Sequence, residues 1–315
     1  MDKKDIRSLY ELTKNSRIST KELSKVLKTS QQLASHIKRK LRKKKLIKLY
    51  SPIVDTARFG LTNIVVGYNF LKFDYQSRKE VIDYLMSLNS VVGIQEGSLR
   101  VDLVVEFSVK NLSAFNKQNS DLMEKCHDKL SNLFALPVIV KHIFLRKYLA
   151  RKKDFYDIIL CGDRDVYELS KTERSVLINI LQRPQESFVG LAKDSGVSTK
   201  TIINVKKRLE AKKILKGYTC TPNFSGYGIN RYLVFLKISG GGLGKVSQLV
   251  EFCKLNKNVV ELFKTMGEYQ VILSVEELKR SNLVLELRSK FMVDDFLIVH
   301  IDNIKQNSFF PKEVI

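Results

Sequence analysis

The sequence predicts an α+β protein made of two copies of one unit, a winged helix-turn-helix followed by a βαββαβ domain. Three observations carry that reading. Sliding the 315-residue chain against itself by 168 residues brings two long segments into gapless register, Leu9 on Leu177, Leu23 on Leu191, Leu41 on Leu209, Gly60 on Gly228 and Val66 on Val234. Within each segment the apolar period switches from helical to alternating. Hydrophobic content of 44% is that of a folded chain, and 315 residues suit several domains.

Residues 1–54 form the first helix-turn-helix, with Leu23, Leu27, Leu33, Ile37 and Leu41 on its buried face. Ser24, Lys28 and Ala34 stand where copy two has Ala192, Gly196 and Ile202, and a lysine at a left-handed position predicts a somewhat different turn. Residues 60–148 follow as strand NIVVGYNFLKF, helix SRKEVIDYLMSL, hairpin SVVGIQEGS and RVDLVVEFSV, helix NLSAFNKQNSDLMEKCHDKL and strand PVIVKHIFL. That order is the ferredoxin-like sandwich, a four-stranded antiparallel sheet with two helices on one face. Its bare face needs a cover, most simply the sheet of the other copy.

A linker, 149–168, leads to the second helix-turn-helix at 169–222. Thr172 is the expected first cap, Pro184 closes that helix, Ser187 and Ser198 cap the next two, and Gly196 makes the sharp turn. ILKGYTCTP reads as the strand of a wing. Residues 228–308 repeat the sandwich with YLVFLKIS, GKVSQLVEFCKLN, VVELFKTM, YQVILSV, a helix in EELKRSNLVLELRSKF and DFLIVHID. The last strands match after a gap of about ten residues, which puts His142 and His300 at equivalent places.

The charge is concentrated. Residues 1–50 hold 16 Lys/Arg and four acids, more than half of the chain's net +22, with KRKLRKKKLIK (Lys38–Lys48) the densest run. A second run, RKYLARKK, spans Arg146–Lys153. So one-sided a charge predicts a polyanionic partner. A third helix in the major groove would turn Gln31, Gln32, Ser35, His36, Arg39 and Lys40 toward DNA in copy one, backed by Lys43 and Lys44. Copy two would present Thr199, Lys200, Asn204, Lys207 and Arg208. Gln and Asn suit adenine, while Arg and Lys suit guanine or phosphate.

Cys126, Cys161, Cys220 and Cys253 lie far apart with no CxxC pair, so neither disulfides nor zinc is expected and a cytoplasmic setting fits. There is no apolar leader and no 18-residue apolar run, hence no expected membrane span. GGGLG (Gly240–Gly244) lacks the Lys-Ser/Thr of a phosphate loop and reads as a flexible connector.

A helix-turn-helix, the connector GYTCTPNFSGYGINRYLVFLKI and a βαββαβ domain together resemble the Lrp/AsnC (feast/famine) transcriptional regulators, here in tandem over nearly the whole chain. The resemblance implies double-stranded DNA as partner, pairing through the βαββαβ domains as an intrachain pseudo-dimer or homo-oligomer, and a small-molecule effector held near a Gly-x-x-Asp turn. Copy one keeps Asp102 of that turn and copy two keeps Gly267, with Leu99 and Gln270 at the other places. Siroheme decarboxylases resemble the same family and supply an enzymatic alternative, and a nonspecific chromatin-type DNA-binding protein is a third. The expectation is a sequence-specific regulator, not an enzyme, with no catalytic residues, metal or cofactor.

Overall fold

Capping side chains open the first three helices. Asp2 accepts from the Lys4 N–H ahead of α1 (Lys3–Lys14), Ser19 and Glu22 form a reciprocal capping box at α2 (Thr20–Leu27), and Ser30 accepts from the Leu33 N–H at α3 (Gln31–Lys43). The computed structural model describes residues 2–150, 156–238, 243–279, 281–291 and 293–311. Lys28 ends α2 at φ 49° and ψ 58°, in the left-handed region. Copy one therefore makes the same turn as Gly196, not a different one. Leu33, expected in the buried face, is exposed instead, while Ala34, Ile37 and Leu41 are buried.

The second trio is α6 (Lys171–Gln182), α7 (Phe188–Ser195) and α8 (Thr199–Ala211). Ser170 caps α6 through a capping box with Glu173, so Thr172 lies inside the helix rather than capping it. Ser187 and Ser198 cap α7 and α8, and Gly196 sits at φ 65° between them.

β1 (Ile47–Val54) and β7 (Leu215–Pro222) follow the two trios and pair with each other, antiparallel. Tyr50 faces Cys220, Ser51 faces Thr219 and Pro52 faces Tyr218. Ser51 and Thr219 are 168 apart, and a step either way exchanges the roles of the two strands, which is a local twofold. The strand expected as a separate wing is thus half of a ribbon joining both heads. Cys220 and Ile229 enter the core of α1–α3, and Val54 and Phe310 enter that of α6–α8.

The remaining strands close on themselves. They are β2 (Thr62–Phe70), β3 (Val91–Ser98), β4 (Leu103–Val109), β5 (Leu130–Phe144) and, after β6 (Asp157–Leu160), β8 (Asn230–Ile238), β9 (Val259–Thr265), β10 (Val271–Glu277) and β11 (Val293–Asn307). The order is β2-β4-β3-β11-β8-β10-β9-β5, and β5 returns to β2, giving an eight-stranded antiparallel barrel. The 15-residue strands β5 and β11 bridge its halves, since β5 passes from β2 to β9 and β11 from β8 to β3. A one-turn α9 (Phe224–Tyr227) precedes β8. α4 (Tyr75–Ser87) and α5 (Leu112–Lys125) pack on one half of the barrel, α10 (Leu243–Leu255) and α11 (Leu283–Lys290) on the other. β6 pairs with the end of β5, so the expected 149–168 linker is partly sheet. Of the GGGLG segment, residues 240–242 lie outside the described residues.

The strand registers correct the alignment. Ile64 faces Pro137 as Tyr232 faces His300, and Val138 faces Thr265 as Ile301 faces Gly97. The last strands are therefore 163 apart, and copy two is short by five residues rather than about ten. His300 matches Pro137, and His142 matches Lys305, so the two histidines are not equivalent. The shortfall falls on α11, eight residues against 14 for α5; Glu276 and Glu277 end β10 where Ser108 and Val109 end β4, so the helix expected from Glu276 begins only at Leu283.

Val65, Val104, Leu136, Leu233, Phe235, Phe263 and Val299 fill the barrel. One end carries charge. Glu276 receives Arg146 Nε at 2.8 Å and Arg231 Nη1 at 2.7 Å, and Lys141 Nζ lies 2.9 Å from Glu106. Burial pushes the Glu261 carboxyl up, but Lys141 and Arg231 beside it outweigh that and hold it below the ordinary range. Of the second basic run, Arg146 and Lys147 are buried rather than exposed, and residues 151–153 lie outside the described residues.

Candidate nucleic-acid interface

The third helix of each trio presents its predicted face outward. On α3, Gln31, Gln32, His36, Arg39 and Lys43 are exposed, Lys44 caps its end exposed, and Ser35 is half-buried. Neither α3 nor α8 has an acid in its first turn, so the positive end of each helix dipole stays uncompensated near Gln31, Gln32, Thr199 and Lys200. Arg39, Lys43 and Lys44 have no carboxylate partner among the described residues.

Lys40 is placed differently. Its ammonium lies 2.6 Å from the buried Asp5 carboxylate of α1, which ties α3 to α1. Lys38, inside the same run, donates to the Ile18 carbonyl at 2.9 Å, and burial, aided by Arg42, pulls its ammonium below the usual lysine range. On α8, Lys200, Asn204, Lys207 and Arg208 are exposed and Thr199 half-buried. Arg208 Nε sits 3.3 Å from Glu173, and Lys206 pairs with Glu210 at 2.6 Å. Head one thus offers more unpaired cations than head two.

Arg17 was not singled out in the sequence, yet it clamps the heads together. Its guanidinium donates to the Pro184 and Glu186 carbonyls at 3.1 and 2.7 Å and lies over the Phe188 and Tyr218 rings. Gln185, which the 168-residue repeat aligns with Arg17, returns a bond to Ser16 Oγ at 3.2 Å. That alignment was the available signal. With the β1–β7 ribbon, this loop pair fixes the separation and orientation of α3 and α8.

The candidate effector turn has structural work already. Asp102 accepts from the Phe70 N–H at 2.9 Å, and Gln270 Oε1 accepts from the equivalent Ile238 N–H at 2.8 Å. Gly267 takes φ 119°, and Leu99 takes φ 85° in its place in copy one. A different cavity, of about 650 Å³, opens beside the shortened α11, lined by Tyr232, Phe296, Ile298 and His300 with Asn230 and Glu277. Among the described residues no group of three His, Cys, Asp or Glu could hold a metal, and no helix is long and apolar enough to cross a membrane.

No family model matches the chain. An uncharacterized HTH-type transcriptional regulator of Pyrococcus horikoshii is 23% identical over 128 residues, 40% of this chain and 84% of that protein, and a Pyrococcus furiosus regulator of the same description matches equally. An AsnC family transcriptional regulator from Agrobacterium tumefaciens is matched over 43% of this chain at 14% identity and a TM-score of 0.38. The chain is thus similar to HTH-type transcriptional regulators, in line with the resemblance in its sequence. The crystal structure of the siroheme decarboxylase NirDL covers 99% of this chain and 94% of its own at 14% identity and a TM-score of 0.61, so the two share a fold from end to end. That neighbour is an enzyme. The expectation of a chain without catalytic activity is withdrawn, because this whole architecture serves a decarboxylase.

Proposed function

We propose that the chain is a sequence-specific DNA-binding transcriptional regulator, with unequal readers in residues 1–54 and 169–222 on a scaffold of two paired βαββαβ domains. The observation that carries the reading is α3, whose exposed face offers Arg39 and Lys43 unpaired beside Gln31, Gln32 and His36. The kinship in sequence with regulators named HTH-type supports it. The twofold of the β1–β7 ribbon supports a duplicated, pseudo-dimeric chain whose heads meet inverted half-sites. Because α3 and α8 display different side chains, those half-sites would differ in sequence.

Gel shifts across a salt series test this. Log affinity should fall by roughly 0.9 per neutralised phosphate for each log unit of salt, and Arg39→Ala/Lys43→Ala should flatten the slope by about two contacts. A flat response in both proteins would overturn the reading. Discrete footprints on genomic fragments separate a regulator from a nonspecific binder.

The end-to-end likeness to NirDL favours a second reading, an enzyme acting on a tetrapyrrole in the cavity of Tyr232 and His300. The described lining there holds Glu277 and no Lys or Arg, which suits a polycarboxylate poorly. Titration with iron uroporphyrin III decides it, through a saturable shift of the Soret band that His300→Ala abolishes.

A further inference from the structure

A second cavity of about 650 Å³ lies where the second head meets the barrel, and its chemistry is the opposite of the first. Arg58, Arg164, Lys213 and Lys216 reach it from the turn after β1, the segment after β6, the end of α8 and β7. Its volume falls within the range of small-molecule sites. Two carboxylates also line it, and both are engaged. Asp157 holds His142 Nδ1 at 3.0 and 3.1 Å, and Glu210 holds Lys206 at 2.6 Å.

The cations are only partly answered. Asp55, fully buried behind the wall, serves both Lys216 at 2.7 Å and Arg164 at 3.7 Å, one charge for two. Arg58 Nη1 donates to the Asp165 carbonyl at 3.3 Å and lies 3.8 Å from its wholly exposed carboxylate, and Arg58 Nε is buried with no hydrogen-bond partner among the described residues. Leaving a buried guanidinium donor unpaired is costly, so such a group points to an absent acceptor. Lys213, exposed at φ 55°, has no carboxylate partner among the described residues. Lys212 lies alongside, over the Tyr167 ring.

The repeat does not account for the cavity. At the matching places of the other connector stand Gly226 for Arg58 and Asn223 for Asp55, and Asn223 Nδ2 simply donates to the Lys45 carbonyl. Lys48, the match of Lys216, is spent on Asn303. The charges of Arg58 and Asp55 on this side thus have no charged match at the aligned places of the other connector.

We infer that this cavity binds a small polyanion, a phosphorylated or di- to tricarboxylate metabolite, with Arg58 supplying the planar fork and Lys213 and Arg164 the surrounding charge. The inference does not rest on DNA binding, since the site is read on the chain alone. Calorimetric titration with inorganic pyrophosphate and, separately, with citrate tests it at low salt. One-to-one saturation by either supports the site, and which of the two binds more tightly tells phosphoryl from carboxylate chemistry. Arg58→Ala and the exposed Lys213→Ala should each weaken binding about tenfold or more while Arg39→Ala leaves it unchanged. Thermal melts of Lys213→Ala show that its fold is intact. Absence of saturation by both anions overturns the inference. So does binding that survives in Arg58→Ala/Lys213→Ala, or a loss of DNA affinity in those variants with no anion bound by the parent, which would make the cations a phosphate-backbone contact.

Discussion

Gly67 and Phe134 face each other inside the barrel where the equivalent pair is Phe235 and Leu297. Each copy puts one large ring at this level, but on opposite strands. A Cβ on Gly67 would come within 2.4 Å of Phe134 Cζ, and that ring is held by Phe235 at 5.1 Å and Tyr269 at 5.8 Å. Gly67→Ala should therefore cost about 1–3 kcal/mol in denaturant melts, as overpacking does. Gly196→Ala differs in kind. Nothing lies within 4 Å of its Cβ, so its loss is backbone strain alone, about 1 kcal/mol. The caps Ser187 and Ser198 and the turn at Gly196 were legible because their signals are local. Lys28 was not, since propensity argues against a lysine at positive φ and only the packing of α2 on α3 imposes it.

At the scale of elements, the charged end of the barrel sets the response to acid. The Glu261 carboxyl is held below its unfolded value, so its contribution is present above the ordinary carboxylate range and is lost as pH falls through the lowered value. Urea midpoints should therefore drop below about pH 4, and Glu261→Gln should flatten that limb. Glu276→Gln removes a charge shared by Arg146 and Arg231, leaving Arg231 only its 3.4 Å contact with Glu261, and should cost about 3–5 kcal/mol. The sequence located the other strands of the sandwiches but began the last strand of the first one at Pro137, where β5 starts at Leu130, and so mismeasured the gap before it. Two histidines in similar apolar runs suggested an equivalence, whereas hydrogen-bond register, which a one-residue slip would invert, decides otherwise. Arg146 looked like surface because its counter-charge, Glu276, is 130 residues away in the other half.

For the molecule as a whole, closure of the barrel was not legible. A strand alternates identically whether its sheet stacks on another or continues into it. The difference matters, because neither half can stand alone. Residues 2–160 would leave β1 without a partner, one edge of β3 and the β9-facing edge of β5 unpaired, and the core of α1–α3 without Cys220 and Ile229. That fragment should show no cooperative thermal transition by circular dichroism, while the full chain does. What was legible at this scale was the uneven charge: among the described residues α3 carries more unpaired cations than α8.

The exchanged connectors also impose a timetable on synthesis. Leu41 completes the helical part of the first core, but Ile229, which helps seal it, is made 188 residues later. At ~5–20 residues per second the wait is about 10–40 seconds. The second core waits for Phe310, which packs edge-on against Phe59 at 5.1 Å and is made 101 residues after Leu209. The most basic stretch of the protein therefore waits unfinished while the second head is being made, tethered to a particle whose surface is largely RNA.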